Sequence, residues 1–122
     1  MKLGIVGSRR RVSIKDKDLI RHKILELKPI MLVSGGCPKG ADKFAEELAK
    51  EFNIPITIFK PEFTGKEKHF GEVVARYYAR NKKIAIHSDY LIALVSKDRK
   101  GGTENTIEYF KKHNKEKNLE IL

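Results

Sequence analysis

The sequence predicts an α/β fold: one domain with a mostly parallel sheet of about five strands and helices on both faces. Three observations predict it. At 122 residues and 14.0 kDa the chain is the size of one domain, 1–122, and long enough to bury a core without disulfide or metal staples. Short apolar runs alternate with segments of helical period, as βαβ units do. The runs are apolar throughout, which is the pattern of strands covered on both faces.

The elements follow in order. "KLGIV" (2–6) is a short strand that ends at Gly7. "DKDLIRHKILEL" (16–27) is a helix, with Leu19, Ile20, Ile24 and Leu27 at helical spacing and acidic residues in its first turn. "PIMLVS" (29–34) is the second strand, and "GADKFAEELAKEF" (40–52) the second helix, where Phe44, Ala45, Leu48 and Phe52 share a face. "IPITIF" (54–59), short and β-branched with Pro55 near its start, is the third strand.

A charged loop with Pro61 and Gly65 leads into the helix "GEVVARYYARNKKIAIHS" (71–88), where Val73, Val74, Tyr77, Tyr78 and Ile84 read as a packing stripe. "DYLIALVS" (89–96) is the fourth strand and "KDRKGG" (97–102) its exit loop. "TENTIEYFKKHNKEK" (103–117) is the last helix, with Thr103 as N-cap and lysines in its final turns. "LEIL" (119–122) fits a fifth, edge strand.

Composition narrows the setting. No run approaches the ~18 apolar residues of a membrane helix, and "MKLGIVGSRR" lacks the apolar stretch of a secretory signal. The single cysteine, Cys37, makes no internal disulfide, so a reducing cytoplasm is expected, with no membrane partner. The net charge of +10 favours anionic partners, nucleotides or nucleic acid. A lysine-rich solvated surface accounts for it equally well, because the cations are dispersed along the chain, apart from "SRRRV" (8–12) and "KDRK" (97–100), which both fall in loops.

Open parallel sheets bind ligands beyond the carboxyl ends of their strands, which selects the loops 7–11, 34–40, 60–70 and 96–102. Glycines at a strand-to-helix turn free backbone N–H groups for an anion, and the helix N-terminus adds a positive partial charge. Ser34, Gly35, Gly36 and Gly40 of "SGGCPKGAD" fit that role, although neither the dinucleotide pattern nor the Walker pattern is present. Gly7, Ser8 and Arg9 offer close approach, a hydroxyl and a guanidinium for phosphate. Gly101, Gly102 and Thr103 form a third glycine-hydroxyl turn at a helix start. Each turn alone is an ordinary turn; three on one edge point to a phosphate-bearing ligand.

Other residues read more plainly. Cys37 reads as a small loop residue, and His22, His69, His87 and His113 show no metal-ligand spacing, so no metal or required cofactor is expected. Phe63, Phe70, Tyr77 and Tyr78 are able to stack a base, but most read as core. Two apolar-faced helices would allow a homodimer, with no register for it legible.

In order, "GSRR", "SGGCPKGAD", "ARNKKIAIHSDYLIAL" and "GGTENTI" resemble the SLOG superfamily of Rossmann-like domains. That superfamily joins DNA-processing protein A to the LOG-type, "lysine decarboxylase-like", phosphoribohydrolases. The chain is most similar to the small single-domain branch related to YspA and YpsA. The resemblance spans nearly the whole chain and implies a nucleotide or nucleotide-derived ligand across the strand ends. It adds Asp42, Arg80 and Asn81 to the pocket. Arg80 matches the arginine with which LOG-type enzymes cleave an N-glycosidic bond. The matching glutamate is replaced by Thr106, with Glu104 and Glu108 nearby but out of register.

Three functions are therefore expected in turn. The first is a nucleotide-binding sensor or effector domain without robust turnover. The second is a nucleoside-monophosphate phosphoribohydrolase with Arg80 and Glu104 or Glu108 as its catalytic pair. The third is a DNA-binding module, which steep salt dependence would reveal.

Overall fold

The computed structural model describes residues 1–113 and 116–122. The chain runs β1 (Lys2–Gly7), α1 (Ile14–Leu27), β2 (Met31–Ser34), α2 (Ala41–Glu51), β3 (Ile56–Ile58), α3 (Phe70–His87), β4 (Tyr90–Leu94), α4 (Gly102–Lys112), and β5 (Leu119–Ile121). All five strands are parallel, in the order β3-β2-β1-β4-β5. This is the expected α/β architecture, a Rossmann-like domain of three layers.

The central strand shows why the layers form. Side chains alternate across a strand, so β1 sends Leu3 and Ile5 to one face and Val6 to the other. Leu3 and Ile5 meet Ile20 and Ile24 of α1 and Ala45 and Leu48 of α2. Val6 joins Ile84 and Ala85 of α3 and Ile107 and Phe110 of α4. The central strands β1, β2 and β4 are buried on both sides, as their apolar runs require, while the edge strands β3 and β5 are only partly covered. Among the described residues, no helix is long and apolar enough to cross a membrane.

Several local expectations change. Helix α1 starts two residues earlier than its charge pattern suggested, because Ser13 and Asp16 form a reciprocal capping box. Leu19, placed by spacing on the packing face, is exposed, while Ile20 and Ile24 are buried. Helix α4 starts at Gly102 behind Gly101 (φ 110°), so Thr103 lies in the first turn and is not the N-cap. The predicted last helix was also too long. It ends at Lys112; positions 114–115 lie outside the described residues, and Glu116–Asn118 make a 3₁₀ turn. The stretch 29–30 precedes β2, whose neighbour Ile30 is tied to the Met1 carbonyl.

Candidate functional site

The chain runs β1, β2, β3 toward one edge, then returns to lay β4 on the far side of β1. The loops leaving β1 and β4 thus diverge, which opens a crevice at the carboxyl ends of these two strands. A cleft of about 610 Å³ lies there, within the size range of ligand sites. Gly7 to Arg10 form one wall and Lys100 to Thr103 the other. Cys37 and Asp42 lie at its base, and α3 overhangs it.

Two helix N-termini frame the cleft. Helices α2 and α4 both start behind a glycine, and neither receives a side-chain cap. Gly40 sits at φ 74°, and a Cβ there would lie 2.7 Å from the Ser8 carbonyl oxygen, so only glycine lets the first two loops touch.

The loop after β2 is folded inward. The buried Asp42 carboxylate accepts from Ser34 Oγ at 3.1 Å and from the Cys37 amide at 2.9 Å. Burial pushes the Asp42 pKa up, against the pull of those donors and of Arg80. Gly35 turns its carbonyl toward α3, and Gly36 packs against Ile58 and Lys60. Ser34, Gly35, Gly36 and Gly40 therefore shape the base of the site without lining it, whereas Cys37, read from sequence as a bystander, does line it.

Arg80 is braced from three sides. Its Nη1 donates to the Gly35 carbonyl at 2.7 Å and its Nε to Asn81 Oδ1 at 2.8 Å, while Tyr77 lies under the guanidinium at 5.6 Å. Asn81 is itself held, donating from Nδ2 to Asn105 Oδ1 and the Gly102 carbonyl. Burial pulls the Arg80 pKa down and Asp42 pushes it back up. A guanidinium stays charged through such shifts. Helices α3 and α4 are thus joined by Asn81, the neighbour that also holds the Arg80 guanidinium presented to the cleft.

The three consecutive arginines divide. Arg9 lines the cleft and pairs with no carboxylate among the described residues. Arg10 reaches Asp98 at 3.0 Å, which ties the loops after β1 and β4 together. Arg11 turns away, donating to the carbonyls of Val95 and Leu122 and pairing with Asp16.

The acidic side of the site differs from the sequence expectation. Glu104 is engaged by Arg99 through two 2.8 Å hydrogen bonds outside the cleft, and Glu108 is exposed. Thr106 does line the cleft, buried, with its hydroxyl donating to the Gly102 carbonyl at 3.2 Å. Among the described residues, Asp42 is the sole carboxylate in the lining.

Two features were not expected from the sequence. Phe70, Val74, Tyr77 and Tyr78, in part read as a packing stripe, recur on the face of α3 that overhangs the cleft. Phe63 packs edge-on to Tyr77 at 5.6 Å. The core reading of these aromatics gives way, since Phe63, Phe70 and Tyr78 are all exposed. The second feature is charge. The four connections at the carboxyl edge, 8–13, 35–40, 59–69 and 95–101, carry ten lysines and arginines against Glu62, Glu67 and Asp98. That is a net +7 of the chain's +10. The described connections at the other edge balance Lys28 and Lys117 against Asp89 and Glu116.

Comparison with family models, curated proteins and solved structures finds no match to this chain.

Proposed function

We propose that the chain binds a nucleotide or nucleotide-derived ligand in the β1/β4 cleft and serves as a sensor or effector domain. One observation carries this reading. A single cleft joins a cationic, amide-bearing end (Arg9, Lys100 and the start of α4) to an aromatic wall formed by Phe70, Tyr77 and Tyr78. A phosphate fits the first environment and a base the second. The ordered motifs that resemble the SLOG superfamily support the same ligand class. Hydrolysis is not favoured: Glu104 is held by Arg99, and Asp42 is already committed to Ser34 and Cys37.

Calorimetric titration with a panel of nucleoside mono-, di- and triphosphates tests the proposal. Binding that weakens about tenfold or more in Arg9→Ala and in Tyr77→Ala is expected. No binding across the panel overturns it. Release of free base from a nucleoside monophosphate, lost in Arg80→Ala, would instead establish the phosphoribohydrolase reading.

The charge concentrated on one edge favours a second reading, binding of single-stranded nucleic acid. Its mark is affinity for an oligonucleotide that falls steeply with salt while mononucleotides fail to bind.

A further inference from the structure

We infer that the site has a second anion-binding pocket beside the cleft, so that its ligand carries two separated phosphates. This rests on the nucleotide reading above and narrows it. Arg80 lies in the wall between the main cleft and a recess of about 70 Å³. Lys60, Arg76 and Lys83 line that recess with Arg80, against the single carboxylate of Glu62. Four cations line the hollow against Glu62, with Glu67 offsetting Arg76 from outside it, and the net positive charge that remains favours an anion.

The pairings within the recess leave it open to an incoming anion. Glu62 reaches Lys83 at 3.0 Å, but its side chain is 81% exposed. An ion pair so placed contributes little, and a phosphate able to bond several cations at once displaces it. Arg76 is partnered by Glu67, whose carboxylate is also held by the Thr64 and Gly65 amides and so stays in place. Lys60 pairs with no carboxylate among the described residues. Its stem rests against Gly36, which positions it at the end of β3 on the edge that forms the cleft. Arg80 spends Nε on Asn81 and one Nη1 hydrogen on Gly35, which leaves its remaining N–H groups to face anions. The ligand class is then a nucleoside 3′,5′-bisphosphate or a 5′-phosphorylated dinucleotide.

The test is calorimetric titration of the intact chain with three probes of one base: the 5′-monophosphate, the 3′,5′-bisphosphate and the 5′-phosphorylated dinucleotide. At least one doubly phosphorylated probe is expected to bind about tenfold tighter than the monophosphate, with a steeper salt dependence. Lys60→Met and Lys83→Met should remove that gain and leave monophosphate affinity unchanged. Both are exposed stems, and unchanged thermal melting shows that the variants fold. Equal affinity for all three probes overturns the second pocket while the nucleotide reading stands. A gain that persists in the Lys60→Met, Lys83→Met double variant overturns it as well. A gain seen only with longer oligonucleotides does the same and assigns the recess to a nucleic-acid strand. Failure of every probe, the monophosphate included, removes both proposals together.

Discussion

Arg80 Nη1 donates to the Gly35 carbonyl at 2.7 Å, and a Cβ built on Gly35 would come equally close, 2.7 Å, to that same nitrogen. The glycine is therefore matched to the arginine. Gly35 has no left-handed φ, so alanine is compatible with its backbone. Gly35→Ala should push the guanidinium aside and crowd the buried Asp42 carboxylate, 3.0 Å from that Cβ, at a stability cost of about 1–3 kcal/mol. The expected outcome is a nucleotide affinity at least about tenfold lower, in a protein that still unfolds cooperatively at a moderately lowered melting temperature, read by calorimetry and thermal unfolding. Unchanged affinity would show that the position of Arg80 does not matter to binding.

Arg9 and Arg11, two residues apart, should give opposite phenotypes. Arg9→Ala removes a cation from the cleft with no ion pair lost, so ligand affinity falls and stability holds. Arg11→Ala strips donors from the Val95 and Leu122 carbonyls and leaves Asp16 without its guanidinium. That change should cost about 2 kcal/mol in chemical denaturation, with little effect on affinity. Arg11→Lys should not restore it, since an ammonium does not reproduce the fork that reaches two strands and a helix start.

Asp42 should behave as an anchor of the loop after β2. Asp42→Ala leaves the buried Ser34 hydroxyl and the Cys37 amide without their acceptor, a loss of about 2–4 kcal/mol. The pH dependence has a definite sign. Burial raises the folded pKa above the ordinary 3.8, so the stabilisation is full below 3.8 and declines as pH rises through the folded value. The gap between wild type and Asp42→Ala, measured by urea unfolding, should shrink across that rise. A gap that widens with pH would contradict the burial argument.

Glu67 should show the reverse sign. The backbone amide of Thr64, with that of Gly65 and the Thr64 hydroxyl, pulls its pKa from 4.5 down to about 2. Its stabilisation is complete above 4.5 and is lost as pH falls toward 2. Thermal melts should show the wild type losing stability across this window more steeply than Glu67→Gln. Parallel curves would mean that the turn at 64–67 is not held by that charge.

The strand pattern carried the fold because the central β-runs are apolar on both faces, a property written in consecutive residues such as Leu91 to Leu94. Helix starts were less legible. The Ser13–Asp16 box was open to sequence reasoning and missed; the glycine start of α4 depends on the φ of Gly101, which no composition reveals. The site was legible as loops on an edge but not in its detail. That Asp42 takes the Cys37 amide is a contact across a turn, and that Phe70, Val74 and Tyr77 overhang space is decided by where α3 leaves the sheet. The basic runs 8–12 and 97–100 stand out in the sequence, but the other cations are dispersed, and the four loops that gather them meet only after folding.

The one-sided charge has a consequence for motion before contact. A molecule with +7 in the connections of the cleft edge and balanced charge in the described connections of the other would turn in the field of a polyanion as it diffuses. It would arrive cleft first, and on the proposed function capture of an anionic ligand would be faster than random collision allows, by a factor that dwindles as ionic strength rises. On a negatively charged surface it would stand upright, held by that end, with the N-terminal ends of its strands pointing into solution.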